Sequence, residues 1–145
     1  MSAKEIRSLE RRWIKEWNKG KAAIMAAIDE LVATDYVEHG GSGEETHGLK
    51  DYKQSISELF SAFPDIHFTL DDMVVEGDKA AVCFTFSGTH KGEFKGILPT
   101  DKKWTMWGIY IDRIVGGKFV ESWVRYDTLG WMQQLGLIST SEQKR

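Results

Sequence analysis

The chain is poor in the residues that usually announce chemistry. It has a single cysteine, Cys83, among 145 residues, which excludes an internal disulfide and any cysteine-rich zinc site. Its two prolines and scattered glycines form no linker, and no repeat or low-complexity tract is present. No apolar run is long enough for a membrane span, and the opening MSAKEIRSLE is too charged for a signal peptide. No cationic run exceeds two residues and the net charge is -3, so neither nucleic acid nor an anionic membrane is expected as a partner. The G-x-S-x-G nucleophile elbow is missing, and the pairs Gly40–Gly41 and Gly116–Gly117 lack the spacing of a phosphate loop. None of the four histidines stands at metal-site spacing from another, so no metal is expected. A reducing, cytoplasmic setting follows as the expectation.

Aromatic residues are plentiful. Six Trp, four Tyr and seven Phe make 12% of the chain, enough for a large aromatic core or for a wide pocket around a flat, greasy ligand. Ser2 and Glu5 have capping-box spacing, and Ile6, Leu9, Trp13 and Trp17 follow at helical intervals. A second helix is expected from about Lys21 to Thr34 and a third from Leu49 to Phe63, ended by Pro64. Between them DYVEHGGSGEETHG reads as a loop with a short extended piece at Tyr36–His39.

Past Ile66 the period becomes two. Four strands are expected, with a parity slip at Asp71–Asp72 that marks a bulge and turns at EGDK and VGGK. The strand Trp104–Ile114 is apolar on both faces, so both should be covered. The expected architecture is a single α+β domain over 1–145. Three N-terminal helices (about 3–63) pack on a strongly curved antiparallel sheet (about 65–127), and a closing helix (about 129–137) follows. Such a curled half-barrel capped by helices leaves a conical pocket at its mouth.

The last strand carries Glu121, Trp123, Arg125 and Asp127 on one face. A solvated surface pair explains Glu121 and Arg125. Asp127, crowded by Tyr126, Leu129 and Trp131, reads equally well as the cap of the closing helix and as a buried acid–base group. His39 and His90 both end apolar segments at loop mouths, where a pocket rim would lie, whereas His67 is out of phase with its apolar neighbours.

These residues resemble a known group. Thr89, His90, Gly92, Phe94 and Gly96, then Pro99, Thr100 and Lys102, then Arg113, Ile114, Gly117, Lys118, Glu121, Trp123 and Asp127, and finally Gln134, Leu135 and Gly136 match the SnoaL-like polyketide cyclase and ester cyclase pattern. That group sits within the nuclear transport factor 2-like superfamily. The resemblance covers nearly the whole chain and is most specific in its C-terminal block. It implies helices over a curved sheet, a homodimer, and a cofactor-free intramolecular aldol closure by a lyase or isomerase on a small hydrophobic carbonyl compound. By resemblance Asp127 is the acid–base group. The chain departs from the pattern at Asp101, where glycine is usual, and has no histidine on its third strand to help Asp127. His39, His90 or Tyr110 could stand in. The candidate catalytic set is therefore Asp127, His39 and His90. The candidate ligand contacts are Trp123, Tyr110, Trp107, Trp104, Tyr36, Phe60 and Glu121. The competing expectation is a non-catalytic ligand-binding or structural homodimer in which Asp127 is only a cap.

Overall fold

The structure, a computed structural model, describes residues 1–40 and 44–138; residues 41–43 of the expected glycine-rich loop lie outside the described residues. Ser2 caps α1 (Ala3–Lys19). Its hydroxyl accepts from the Glu5 amide at 3.1 Å, and the Glu5 carboxylate accepts from the Ser2 amide at 2.8 Å. This reciprocal pair satisfies two donors that the first helical turn leaves without partners. Gly20, at a φ of 112°, breaks the helix and lets α2 (Lys21–Leu31) fold back along α1.

The chain then leaves the helix at Leu31, earlier than expected, and enters β1 (Val32–His39) directly. A short β2 (Glu45–His47), α3 (Leu49–Ala62), β3 (His67–Glu76), β4 (Lys79–Thr89), β5 (Lys103–Val115), β6 (Lys118–Tyr126) and α4 (Thr128–Gln134) follow. The six strands form one mixed sheet in the order β2-β1-β6-β5-β4-β3, with β1 and β6 parallel and every other pair antiparallel. The sheet is curved, helices pack on it, and it does not close into a barrel. The α+β expectation holds; the number of strands and their all-antiparallel pairing do not. Local periodicity cannot show a parallel partner that lies most of the chain away. The bulge falls where the parity slip placed it, between Leu70 and Asp72. Among the described residues no helix is long and apolar enough to cross a membrane.

Phase decides what each strand offers the interior. On β5 the residues Trp104, Met106, Gly108, Tyr110, Asp112 and Ile114 are buried. Their alternates Trp107, Ile109 and Ile111 are 62%, 43% and 38% exposed. The expectation that both faces of this strand are covered is therefore met only on the helix side. Gly108 is in the inward phase for a steric reason. A Cβ there would meet the Arg125 carbonyl oxygen at 2.4 Å and the Phe84 ring at 2.8 Å.

Candidate active site

Between the helices and the inner face of the sheet lies a cavity of about 300 Å³. Trp13 and Trp17 of α1, Tyr52 and Ile56 of α3, Phe84 and Phe86 of β4 and Met106 of β5 make its walls. Trp131 of α4 and Phe94 of the β4–β5 connection also line it. Lys95 lines it too and pairs with Glu44 at 3.4 Å. The strand register then sets one polar rung into this apolar surround. Asp112 on β5 lies opposite Ser122 on β6, and Ser122 lies opposite Glu38 on β1. All three line the cavity.

The rung belongs to a larger hydrogen-bonded group. The Ser122 hydroxyl donates to Asp112 Oδ1. The Tyr36 hydroxyl donates to Glu38 Oε2 at 3.4 Å, and its ring packs on Tyr52 with centroids 4.8 Å apart. Behind Asp112, Glu10 of α1 is fully buried, accepts from the Tyr110 hydroxyl at 3.0 Å and lies near the Asp112 carboxyl. Glu10 and Asp112 are thus buried, Glu38 is half-buried at the cavity wall, and of the described cavity-lining residues only Lys95 is a cation.

Burial disfavours the charged form of each acid. Burial, then the charge of Asp112, holds the Glu10 carboxyl well above the usual range. The same two causes push Glu38 up to about 7. Burial also raises Asp112, but hydrogen bonds from Glu10 and Ser122 oppose it. The Ser122 hydroxyl, donating to its Oδ1, favours the charged form of Asp112. Burial raises Tyr36, Tyr52 and Tyr110 well above 10.0, so all three keep their protons. The arrangement offers a carboxylate base, an acid poised near neutrality and several hydroxyl donors in an aromatic chamber.

Of the residues singled out from the sequence, Tyr36 and Tyr110 line this cavity. Asp127 does not. It is exposed at the N-cap of α4, where its Oδ1 accepts the Gly130 amide at 2.9 Å. His39 lies on the outer side, bonded to Glu45 at 2.7 Å and to Glu121 at 2.8 Å, with its ring stacked on Trp123. Its two carboxylate partners raise its pKa. Glu121 also pairs with Arg113, whereas Arg125 bonds backbone carbonyls instead of Glu121. His90 is fully buried against Phe63, its Nδ1 within 3.1 Å of the Thr100 hydroxyl. Trp104 is core, packed on Phe63, Phe86 and Trp131. Trp107 is exposed on the outer face. Phe60 is buried and stacked on Trp17. The structure thus separates the proposed trio of Asp127, His39 and His90 into an external cap, an outer-face ion pair and a core histidine.

Glu10, Glu38, Asp112, Ser122 and Tyr52 did not emerge from the sequence, although signals for two of them were there. Glu10 falls in the α1 stripe of Ile6, Trp13 and Trp17, and Asp112 falls in phase with Trp104, Met106 and Tyr110. An acid at an inward position is informative because burying it is costly. Glu38 carried no such signal, since the extended piece read at Tyr36–His39 is too short for its phase to mark an inward residue.

The sequence profile of the SnoaL-like polyketide cyclases matches residues 7–135. No curated protein sequence matches the chain. Among solved structures, AclR of Streptomyces galilaeus, provisionally described as a hydroxylase, superposes with a TM-score of 0.84 at 25% identity. That match covers 95% of this chain and all of AclR. TsrD of Streptomyces laurentii gives 0.82 at 29% identity over 95% of this chain and 99% of its own. IdmH of Streptomyces antibioticus, provisionally described as a polyketide cyclase, gives 0.76 at 25% identity over 90% and 97%. Profile, fold and chamber agree, and the chain belongs to the SnoaL-like polyketide cyclase family.

Proposed function

We propose that this protein is a cofactor-independent cyclase-type enzyme acting by acid–base chemistry on a small hydrophobic carbonyl compound, with Asp112 as base and Glu38 as acid. The observation that carries the reading is the Asp112–Ser122–Glu38 rung facing an aromatic cavity. Pairs of acids whose surroundings push their pKa values apart are a recurrent source of acid–base assignments. In the forward step the Asp112 carboxylate takes a proton from carbon activated by a neighbouring carbonyl. The resulting enolate carbon attacks a second carbonyl of the same molecule. The alkoxide so formed takes the Glu38 proton, and the two carboxyls return to their starting states by exchanging protons with one another or with water. The aromatic walls hold the chain folded for closure, which converts an improbable encounter into an intramolecular one. The same reading has two copies joined through the apolar outer face of the sheet.

The test uses 5-nitrobenzisoxazole, a flat aromatic carbon acid that a single base opens to a coloured phenolate. The native protein should accelerate ring opening. Asp112→Asn should lose about 100-fold or more of that rate, the usual scale of a positioned general base. Glu38→Gln should lose less, because the leaving phenolate needs little protonation. Tight binding of the probe with no acceleration would sink the enzyme reading and leave a binding protein.

A further inference from the structure

Glu10 is not among the residues that line the cavity, yet it is the most enclosed acid of the group. It stands on the apolar stripe of α1 and reaches two groups of β5. Tyr110 donates to its Oε1 at 3.0 Å, and the Asp112 carboxyl, two residues along the same inward face of β5, lies close enough for its charge to act on it. Its Oε2 has no hydroxyl or N–H partner. The other groups facing the pair are Ser122 of β6, Tyr36 and Glu38 of β1 and Tyr52 of α3. None of them is a cation. Two adjacent carboxylates in such a place would each be desolvated and would repel one another. A buried carboxyl oxygen with no donor, beside a second buried carboxyl, calls for a proton.

We propose that Glu10 is a positioning residue that shares one proton with Asp112, so that the pair and not Asp112 alone is the base. This rests on the reading of Asp112 as the base, and it adds a role for a helix that meets the ligand only through Trp13 and Trp17. The shared proton does two things. It keeps one negative charge, not two, in the chamber. It also gives Asp112 a short-range donor that holds its second oxygen toward the ligand and keeps it ionised at lower pH. When Asp112 takes the substrate proton, the pair carries two protons and no charge; when it releases one, the starting state returns.

Carboxyl-selective 13C NMR titration tests this without a substrate. In the native protein the Glu10 and Asp112 resonances should move together in two steps, as coupled sites do. The two steps should be well separated. In Glu10→Gln, which keeps an N–H for Asp112 and an acceptor for Tyr110, Asp112 should titrate once, and the upper step should vanish. In Glu10→Ala, with the donor gone, the Asp112 step should move up by about one unit, the scale of one lost hydrogen bond to a carboxylate. The low-pH limb of 5-nitrobenzisoxazole opening should move with it in Glu10→Ala and stay in place in Glu10→Gln, a split that a purely structural role would not produce. Independent curves for Glu10 and Asp112 in the native protein, or an Asp112 step unchanged in Glu10→Ala, would overturn the proposal. Coupled curves in a protein that fails to open the probe would count against the enzyme reading alone.

Discussion

At Asp127 the carboxylate accepts the Gly130 amide and is open to water, so its interaction energy goes into starting α4. Asp127→Ala should cost about 1 kcal/mol of stability, the usual price of a lost cap, while Asp127→Asn, itself a good cap, should cost little. Thermal unfolding of the two variants checks this. At Glu38 the balance is reversed. Burial, aided by the nearby Asp112, moves its pKa from 4.5 to about 7. As pH rises, the unfolded chain ionises this group first. Its contribution to stability is therefore complete below about 4.5 and is lost progressively up to about 7. Glu38→Gln should remove that slope and leave the protein more stable than native by about 2–3 kcal/mol above neutrality, with little difference at pH 4. Urea denaturation at the two pH values measures it, and an equal difference at both would contradict the assignment.

At the scale of the element, the β4–β5 connection forms one wall of the chamber. It is pinned to the end of α3 by the Lys91 and Gly92 amides, which donate to the Ala62 carbonyl at 2.9 and 3.1 Å. This brings Phe94 against Phe63 and Trp131. The approach is so close that a Cβ on Gly92 would lie 2.1 Å from the Ser61 carbonyl oxygen. Backbone cannot give way as a flexible side chain can. Gly92→Ala should therefore destabilise the protein by about 2 kcal/mol or more, read as a shift of the urea midpoint at unchanged slope. The elements the sequence showed best were those with a strong local signature. The α1 capping box, the α3 stripe and the Leu70/Asp72 bulge all stand in the structure as read. β1 was mostly hidden because nothing local separates Val32 from the end of α2. Val32 and Thr34 favour extension, but it is the pairing of Glu38 and His39 with Ser122 and Trp123 that makes this segment a strand. The candidate site was less legible than the fold for the same reason. Its rung is assembled across three strands by register, and the conspicuous acid at Asp127 proved to be the one a helix needed.

At the scale of the molecule, the sheet separates two surfaces. The inner one carries the chamber. On the outer one Val74, Ala81, Ile111 and Trp123 fall in one row across four strands, beside Ile109 and Trp107. An apolar face of this kind, rimmed by Lys79, Arg113 and Glu121, is the sort of patch that marks an association surface. We predict a homodimer through this face. Sedimentation velocity should show a dimer for the native protein and a monomer for Trp107→Arg, with the carboxyl titrations of the inner face unchanged; a native monomer would remove the dimer from the account. The chamber puts the proposed chemistry at Asp112 under the helices and not at Asp127 outside them, and 5-nitrobenzisoxazole opening by Asp112→Asn and by Asp127→Asn separates the two. Asp112→Asn should lose about 100-fold or more, and Asp127→Asn should stay within about twofold of native, since asparagine preserves the cap. A large loss in Asp127→Asn with Asp112→Asn near native would place the chemistry outside the chamber.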